Sequence, residues 1–385
     1  MARPIYLDNH ATTPVDPLVL EMMLPYFTEQ FGNPSSAGHS YGWEAAAAVN
    51  QAREIVADSI GAIAEEIIFT SGATEANNLA IKGVAEAYFS EGKHIVTVQT
   101  EHRAVLDPCA YLETLGFAVT YLPVQPNGLL DLEILEKAIR QDTVLVSVMA
   151  ANNEIGVLQP IEAIGKLCKA KKVLFHCDAA QAIAKIPLNV QTQNIDLLSL
   201  TAHKIYGPKG IGALYVRRKN PRVNIAAQLH GGGQERGRRS GTLYTPQIVG
   251  FGKALEIGLA QMATENQRIK NHRDRLWENL KKIATIQLNG DLEQRLPHNL
   301  NISFRNIDGA ALLLGLRSTV ALSSGSACSS GKPSHVLQAI GRSKAECAAS
   351  LRFGIGRFTT AADIDQVAKA VQQIITSLQQ IRINT

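Results

Sequence analysis

Two side chains stand where they could do chemistry together, and a third could complete it. Lys204 lies in Thr201-Ala202-His203-Lys204-Ile205-Tyr206-Gly207-Pro208-Lys209-Gly210, straight after the apolar run Ile195 to Leu200 and just before a Gly/Pro turn. Its amine is therefore expected at the end of a buried strand, held in place by the turn. Asp178 closes a second apolar run, Val173-Leu174-Phe175-His176-Cys177. A lysine and an aspartate delivered by two strand ends suit pyridoxal phosphate chemistry, in which the amine forms a Schiff base and the carboxylate stabilises a protonated pyridine nitrogen. A buried Lys–Asp ion pair accounts for the same two residues, so on their own they leave both readings open.

The third is Cys328, in Leu322-Ser323-Ser324-Gly325-Ser326-Ala327-Cys328-Ser329-Ser330-Gly331-Lys332-Pro333. Structural cysteines usually sit in apolar strands or helices, as Cys177 does in this sequence. A thiol among small polar residues and glycines is expected to be exposed on a loop, able to take up a product and present it elsewhere; an incidental surface cysteine is the plainer alternative. Arg352, inside the apolar Ser350-Leu351-Arg352-Phe353-Gly354-Ile355, needs a two-pronged partner. A substrate carboxylate fits its fork, and a structural salt bridge would serve equally.

These residues need elements to position them. Ile67 to Thr70 reads as a strand, and Ser71-Gly72-Ala73-Thr74-Glu75 turns from it into a helix running to about Phe89. Such a turn presents free N–H groups and a positive dipole end to a phosphate, although an ordinary capped turn has the same look. Further apolar strands are expected over 94–98, 118–122, 144–149, 173–177, 197–200 and 211–216, with helices such as 131–140 and 160–171 between most of them. Continuous apolar strands alternating with helices predict an α/β fold with a mostly parallel sheet covered on both faces. Ligands then bind beyond the carboxyl ends of the strands, where His102, Asn152, Asn153, Asp178, Gln181 and Lys204 fall. A Gly/Arg loop spans 229–242. The helix expected over 245–284 should break where two domains join, and strands over 300–304 and 350–355 should belong to a smaller α+β domain. The last helix opens on Thr360-Ala361-Ala362-Asp363, a capping-box pattern, and carries Ile364, Val367, Val371, Ile374, Leu378 and Ile381 as a core stripe.

At 385 residues the chain is too long for one core. A formal charge of +4 with acidic and basic residues interleaved gives no nucleic-acid footprint. The five cysteines form no C-x-x-C pair, which argues against a disulfide framework and a zinc site. The N-terminus has no signal-peptide pattern, and no run approaches the roughly 18 apolar residues of a membrane span. Together these predict a cytoplasmic protein.

Taken in order, Thr70-Ser71-Gly72-Ala73-Thr74-Glu75, Glu101-His102, Asn152-Asn153-Glu154-Ile155-Gly156, His203-Lys204-Ile205-Tyr206-Gly207-Pro208-Lys209-Gly210, Ser324-Gly325-Ser326-Ala327-Cys328 and Leu351-Arg352-Phe353 closely resemble the cysteine desulfurases of the bacterial nitrogen-fixation and iron–sulfur assembly type. These are pyridoxal phosphate enzymes of the class V aminotransferase family, and the resemblance runs from Tyr6 to the last helix. It implies fold type I with a seven-stranded sheet, a large domain over 15–258, a small one from 1–14 and 259–385, and a homodimer. It also implies conversion of L-cysteine to L-alanine, with sulfur left on Cys328 as a persulfide. By the same resemblance Lys204 holds the cofactor, His102 stacks on its ring and assists proton transfer, and Asp178 pairs with the ring nitrogen. Gln181 and Asn153 lie at the ring oxygen, with Asn153 also near the substrate. Ala73, Thr74, Thr201, His203 and the partner subunit's Thr242 hold the phosphate, and Arg352 grips the substrate carboxylate.

Two departures bear on partners. Pro333-Ser334-His335 follows Cys328 about two residues sooner than in many relatives, which leaves the range of sulfur acceptors open. The chain also stops soon after its last helix, where some relatives carry a tail that docks the iron–sulfur scaffold protein. A scaffold partner is expected, with tRNA thiolation as a further destination for the sulfur. No resident metal is expected; in some relatives the cysteine matching Cys328 transiently ligates a nascent cluster. Selenocysteine lyases and true aminotransferases share much of this pattern and stay open as alternatives. An idle sulfur-transfer scaffold is disfavoured by the intact Lys204, His102, Asp178 and Arg352 set.

Overall fold

Seven of the apolar runs form one sheet in a computed structural model, which describes residues 3–283, 285–324 and 333–383. Its strands are Ile67–Thr70, His94–Val98, Ala118–Leu122, Thr143–Ser147, Leu174–Asp178, Leu197–Thr201 and Gly212–Val216. In spatial order the first is followed by the seventh, sixth, fifth, fourth, second and third. The pairings from Leu197–Thr201 across to Ala118–Leu122 are parallel, and Gly212–Val216 runs antiparallel to both its neighbours. The mostly parallel seven-stranded sheet expected from the sequence is therefore the sheet observed.

Side-chain alternation divides the strands between two cores. Ile67, Phe69, Val96, Val146, Phe175 and Leu198 face a cluster shared with the helices Ser40–Asp58, Ile161–Lys171 and the start of Thr245–Leu280. Ile68, Ile95, Leu145, Leu197 and Leu214 face the helices Ala73–Ala87 and Arg103–Thr114. A fully buried side chain of this size contributes roughly 1.5–3 kcal/mol, so these clusters hold the strand ends at fixed positions.

A second sheet is antiparallel, with Ser323–Ser324, Ser350–Gly354, Asn299–Phe304 and Ile286–Leu288 side by side. Ile302, Phe304, Leu351 and Phe353 pack there against Ile364, Val367 and Val371 of the last helix, Ala361–Ile383. The capping box forms as expected: Thr360 Oγ1 accepts from the Asp363 amide at 3.2 Å, and Asp363 Oδ2 accepts from the Thr360 amide at 2.8 Å. Ile375 is buried in this core while Ile374 and Leu378 pack at its edge, and the Ile381 side chain lies outside the described residues. The expected helix break is absent, because Thr245–Leu280 is one helix of 36 residues. Its one Pro, Pro246, lies in the first turn, and Gly250, Gly252 and Gly258 are packed within the helix against Met23, Ala52 and Ala184, so the hydrogen-bond ladder runs through. Its first half gives Ile248, Phe251 and Leu255 to the large core and its second half gives Ile269, Leu276 and Leu280 to the other.

Candidate active site

The carboxyl ends of the parallel strands open onto a cavity of about 520 Å³. Its lining includes Ala73, Thr74, His102, Asn153, Asp178, Gln181, Thr201, His203, Lys204 and Arg352, so one cavity receives ten residues singled out in the sequence. Of the other two, one lies elsewhere. Thr242 is exposed and does not line this cavity. Cys328 falls outside the described residues, although Ser323–Ser324 before it and Ser334 after it are placed.

One end of the cavity is built to receive an anion. The 15-residue helix Ala73–Ala87 begins there with no side-chain cap at Gly72, which leaves its first N–H groups available. Gly72 has φ 147°, and a Cβ on it would project into open space, its nearest neighbour being Thr201 Oγ1 at 3.9 Å. The glycine both permits this backbone conformation and keeps the cradle clear. His203 borders it, with Nδ1 3.2 Å from Thr12 Oγ1. Burial, aided by Lys204 and Lys209, pushes His203 down to about 4, so its ring is neutral near pH 7.

At the other end Asp178 is 7% exposed. Its Oδ2 accepts from Asn77 Nδ2 at 2.6 Å and its Oδ1 from the Ala180 amide at 2.9 Å. Among the described residues it has no ion-pair partner. Lys204 Nζ donates instead to the carbonyl oxygens of His10 and, at 2.9 Å, Ala11. The plain ion-pair reading of Lys204 and Asp178 is thus not what the geometry presents. A buried carboxylate without a cation is costly, and a protonated ring nitrogen is the type of group that would complete it.

Neighbouring groups fix orientation. His102 caps the helix Arg103–Thr114, its Nδ1 accepting from the Ala104 amide at 3.0 Å. Burial lowers its pKa, opposed by Asp178, so the neutral ring carries its proton on Nε2. Gln181 is held on two sides by His10, whose Nδ1 lies 3.1 Å from Oε1 and whose carbonyl accepts from Nε2 at 3.0 Å. Asn299 Nδ2 meets the other ring nitrogen of His10 at 3.0 Å, which assigns His10 the Nδ1–H tautomer and orients the Gln181 amide. Asn152 braces the turn that carries Asn153, since its Oδ1 accepts from the amides of Glu154 and Ile155 at 2.8 and 2.9 Å. The Asn153 carbonyl in turn accepts from Arg352 Nη1 at 2.9 Å.

A match to the family described as aminotransferase class V covers residues 5–367. The chain belongs to the class V aminotransferase family. Among curated members it is 55% identical to cysteine desulfurase IscS of Aeromonas hydrophila over 99% of this chain and 95% of that one. It is 56% identical to cysteine desulfurase IscS of Methylobacillus flagellatus over 98% and 94%. Among solved structures, a NifS-like protein superposes with a TM-score of 0.90 at 39% identity, covering 97% of this chain and all of that one. The structure of SspA in complex with cysteine gives 0.81 at 40%, covering 92% of this chain. Both curated members are named cysteine desulfurase, and neither they nor the two solved structures are named as selenocysteine lyases or transaminating enzymes. The fold type I architecture expected from the sequence is the one they share with this chain.

Sequence reasoning missed three polar residues at this class V site. Asn77 lies fully buried on the apolar face of its helix, and a polar residue at core spacing was the available signal. His10 lies in a stretch with no helical or strand periodicity, so no local signal marked it. Glu101 is fully buried beside Asp178, its Oε1 accepting from the Met149 amide at 2.6 Å and its Oε2 unpartnered. Burial, then the Asp178 charge, raises its carboxyl pKa well above the ordinary value.

Proposed function

We propose that this protein is a pyridoxal phosphate-dependent cysteine desulfurase that converts L-cysteine to L-alanine and passes the sulfur, as a persulfide on Cys328, to iron–sulfur cluster assembly. The observation that carries the reading is the buried Asp178 carboxylate, which has no salt bridge among the described residues, in one cavity with Lys204 and an uncapped helix N-terminus. Relatives named cysteine desulfurase at 54–56% identity support the substrate.

In this reading Lys204 would hold the cofactor, Asp178 would pair with its ring nitrogen, and His102 would lie against the ring. Gln181 and Asn153 serve the ring oxygen. Ala73, Thr74, Thr201 and His203 hold the phosphate together with the partner subunit's Thr242. The bound cofactor supplies an electron sink that makes the substrate Cα–H acidic. Arg352 and Asn153 orient the substrate through its carboxylate. Lys204 Nζ takes the Cα proton, and His102 Nε2 supplies or accepts a proton at the substrate sulfur. The Cys328 thiolate attacks that sulfur, so one S–S bond forms as the Cβ–S bond breaks. The balance is closed: L-cysteine and one thiol become L-alanine and one persulfide. Cys328 is four residues from Ser324, a reach of at most about 14 Å.

The homodimer is supported by exposed apolar residues on and around the helices Pro17–Met23 and Pro25–Thr28, among them Leu18, Leu24, Phe27 and Phe31. Such a patch marks a protein interface. Tyr244, two residues from Thr242, packs edge-on to Phe27 with ring centroids 6.2 Å apart, which places the Thr242 loop at the rim of that patch. In this reading the large domain over 15–258 carries the seven-stranded sheet and the small one, from 1–14 and 259–385, carries the antiparallel sheet. Among the described residues no helix is long and apolar enough to cross a membrane, in keeping with a cytoplasmic enzyme. Sulfur acceptors would be an iron–sulfur scaffold protein and tRNA-thiolating enzymes, with Cys328 also available as a transient cluster ligand. Borohydride reduction of the purified yellow protein followed by peptide mass mapping tests the cofactor assignment. The reduced cofactor is expected on Lys204, and its appearance on another lysine, or on none, overturns the assignment.

A further inference from the structure

Arg352 is 1% exposed, and three hydrogen bonds engage its two terminal nitrogens. Nη1 donates to the Asn153 carbonyl at 2.9 Å. Nη2 donates to Asp8 Oδ1 at 2.8 Å and to Ser323 Oγ at 3.1 Å. Ser323 Oγ also donates to Asp8 Oδ1 at 2.8 Å, so Asp8, Ser323 and the guanidinium form a closed triangle. Nε is buried and has no hydrogen-bond partner.

A guanidinium offers a carboxylate two forks, Nε with Nη2 and Nη1 with Nη2. Each fork includes an Nη2 proton, and Nη2 is already engaged by Asp8 and Ser323. A two-pronged grip on a substrate carboxylate therefore competes at Nη2 with the Asp8 carboxylate and Ser323. Asp8 is the group able to leave, since its side chain is 21% exposed against 1% for Arg352 and it can return to water. The unpartnered Nε marks the Nε/Nη2 fork as the one left incomplete at rest.

We propose that Asp8 is a place-holding carboxylate: it occupies the Arg352 fork in the substrate-free protein, is displaced by the substrate carboxylate, and thereby sets the affinity for L-cysteine. This rests on the assignment of Arg352 to the substrate carboxylate made above. The placeholder keeps a buried guanidinium paired between turnovers, when an uncompensated charge would destabilise the fold. It also makes binding selective, because a ligand must present a full anionic charge to compete with Asp8.

The test is calorimetric titration of the cofactor-loaded enzyme with 3-mercaptopropionate, which has the thiol and carboxylate of the substrate but no amine, and with 3-mercaptopropionamide as the uncharged control. Asp8→Asn keeps the side-chain shape and removes the competing charge. It is expected to bind the carboxylate roughly tenfold more tightly than wild type, the order of one hydrogen bond to a charged group, and to bind the amide unchanged. In turnover KM for L-cysteine should fall by a similar factor with kcat little altered. Ser323→Ala, which loosens Asp8 without removing it, should shift the Kd in the same direction by a smaller factor. Equal or weaker carboxylate binding by folded Asp8→Asn overturns the proposal, since Asp8 would then only orient Arg352. If Arg352→Ala binds 3-mercaptopropionate as well as wild type, the Arg352 assignment fails and the placeholder with it.

Discussion

Glu154 offers a pH dependence whose size follows from its surroundings. It is 4% exposed and lies beneath the site. Its carboxylate accepts from Ser334 Oγ, and its backbone carbonyl accepts from Asn299 and Asn301 at 3.0 Å each. Burial raises its carboxyl from the ordinary 4.5 to about 7, against the opposing pull of Ser334 and Arg352. The folded protein thus keeps the proton to higher pH than the unfolded chain does. Where the unfolded chain binds fewer protons, stability falls as pH rises. The loss begins near the ordinary value of 4.5 and is complete above about 7. At 1.36 kcal/mol per pH unit of displacement, the folded state should lose about 2.5 kcal/mol through this one carboxyl between about pH 5 and pH 8.5. Glu154→Gln cannot ionise, so its stability relative to wild type should improve by about that amount across the same interval. Urea unfolding of both proteins at the two pH values measures the difference directly. A variant whose offset from wild type is the same at both ends would refute the reasoning, because the carboxyl would then be ionised in the fold throughout.

Two further outcomes follow from buried partnerships. Glu235 binds Arg53 through both oxygens at 2.6 and 2.7 Å and accepts from the Phe69 amide at 2.9 Å, tying the Gly/Arg loop to the strand that leads into the anion cradle. Glu235→Ala should cost about 3–5 kcal/mol by stranding a buried guanidinium; urea unfolding that shows a loss below about 1 kcal/mol would contradict this. Asn77→Ala removes the 2.6 Å donor to Asp178. Losing a hydrogen bond to a charged group should weaken pyridoxal phosphate binding about ten- to a hundredfold, read by absorbance titration of the cofactor-free protein, and an unchanged affinity would remove Asn77 from any role at the ring.

The sheet was legible because its strands are continuous apolar runs that end abruptly on polar residues. Lys204 and Asp178 stood out for the same reason: each closes such a run, and parallel strand ends meet at one edge of the sheet. The contacts behind them were not legible. His10 braces Gln181 from 171 residues away, and Asp8 holds Arg352 from 344 residues away. A local reading gives such residues no periodicity and no partner. Asn77 was hidden because its helix is amphipathic with or without it, and only the packed helix reveals that its amide meets Asp178. The unbroken Thr245–Leu280 helix corrects an argument from domain count alone. With no Pro beyond its first turn and its glycines packed against neighbouring side chains, the helix serves two cores. Cys328 remains an argument from composition, since it lies outside the described residues.

The central claim is that sulfur leaves L-cysteine by way of Cys328. Alanine and sulfide produced from L-cysteine with a thiol reductant, compared between wild type and Cys328→Ala, test it most directly. The account predicts both products from the wild type and loss of both in the variant, with its cofactor absorbance retained. Equal production by both proteins would contradict it, because sulfur would then leave without passing through Cys328.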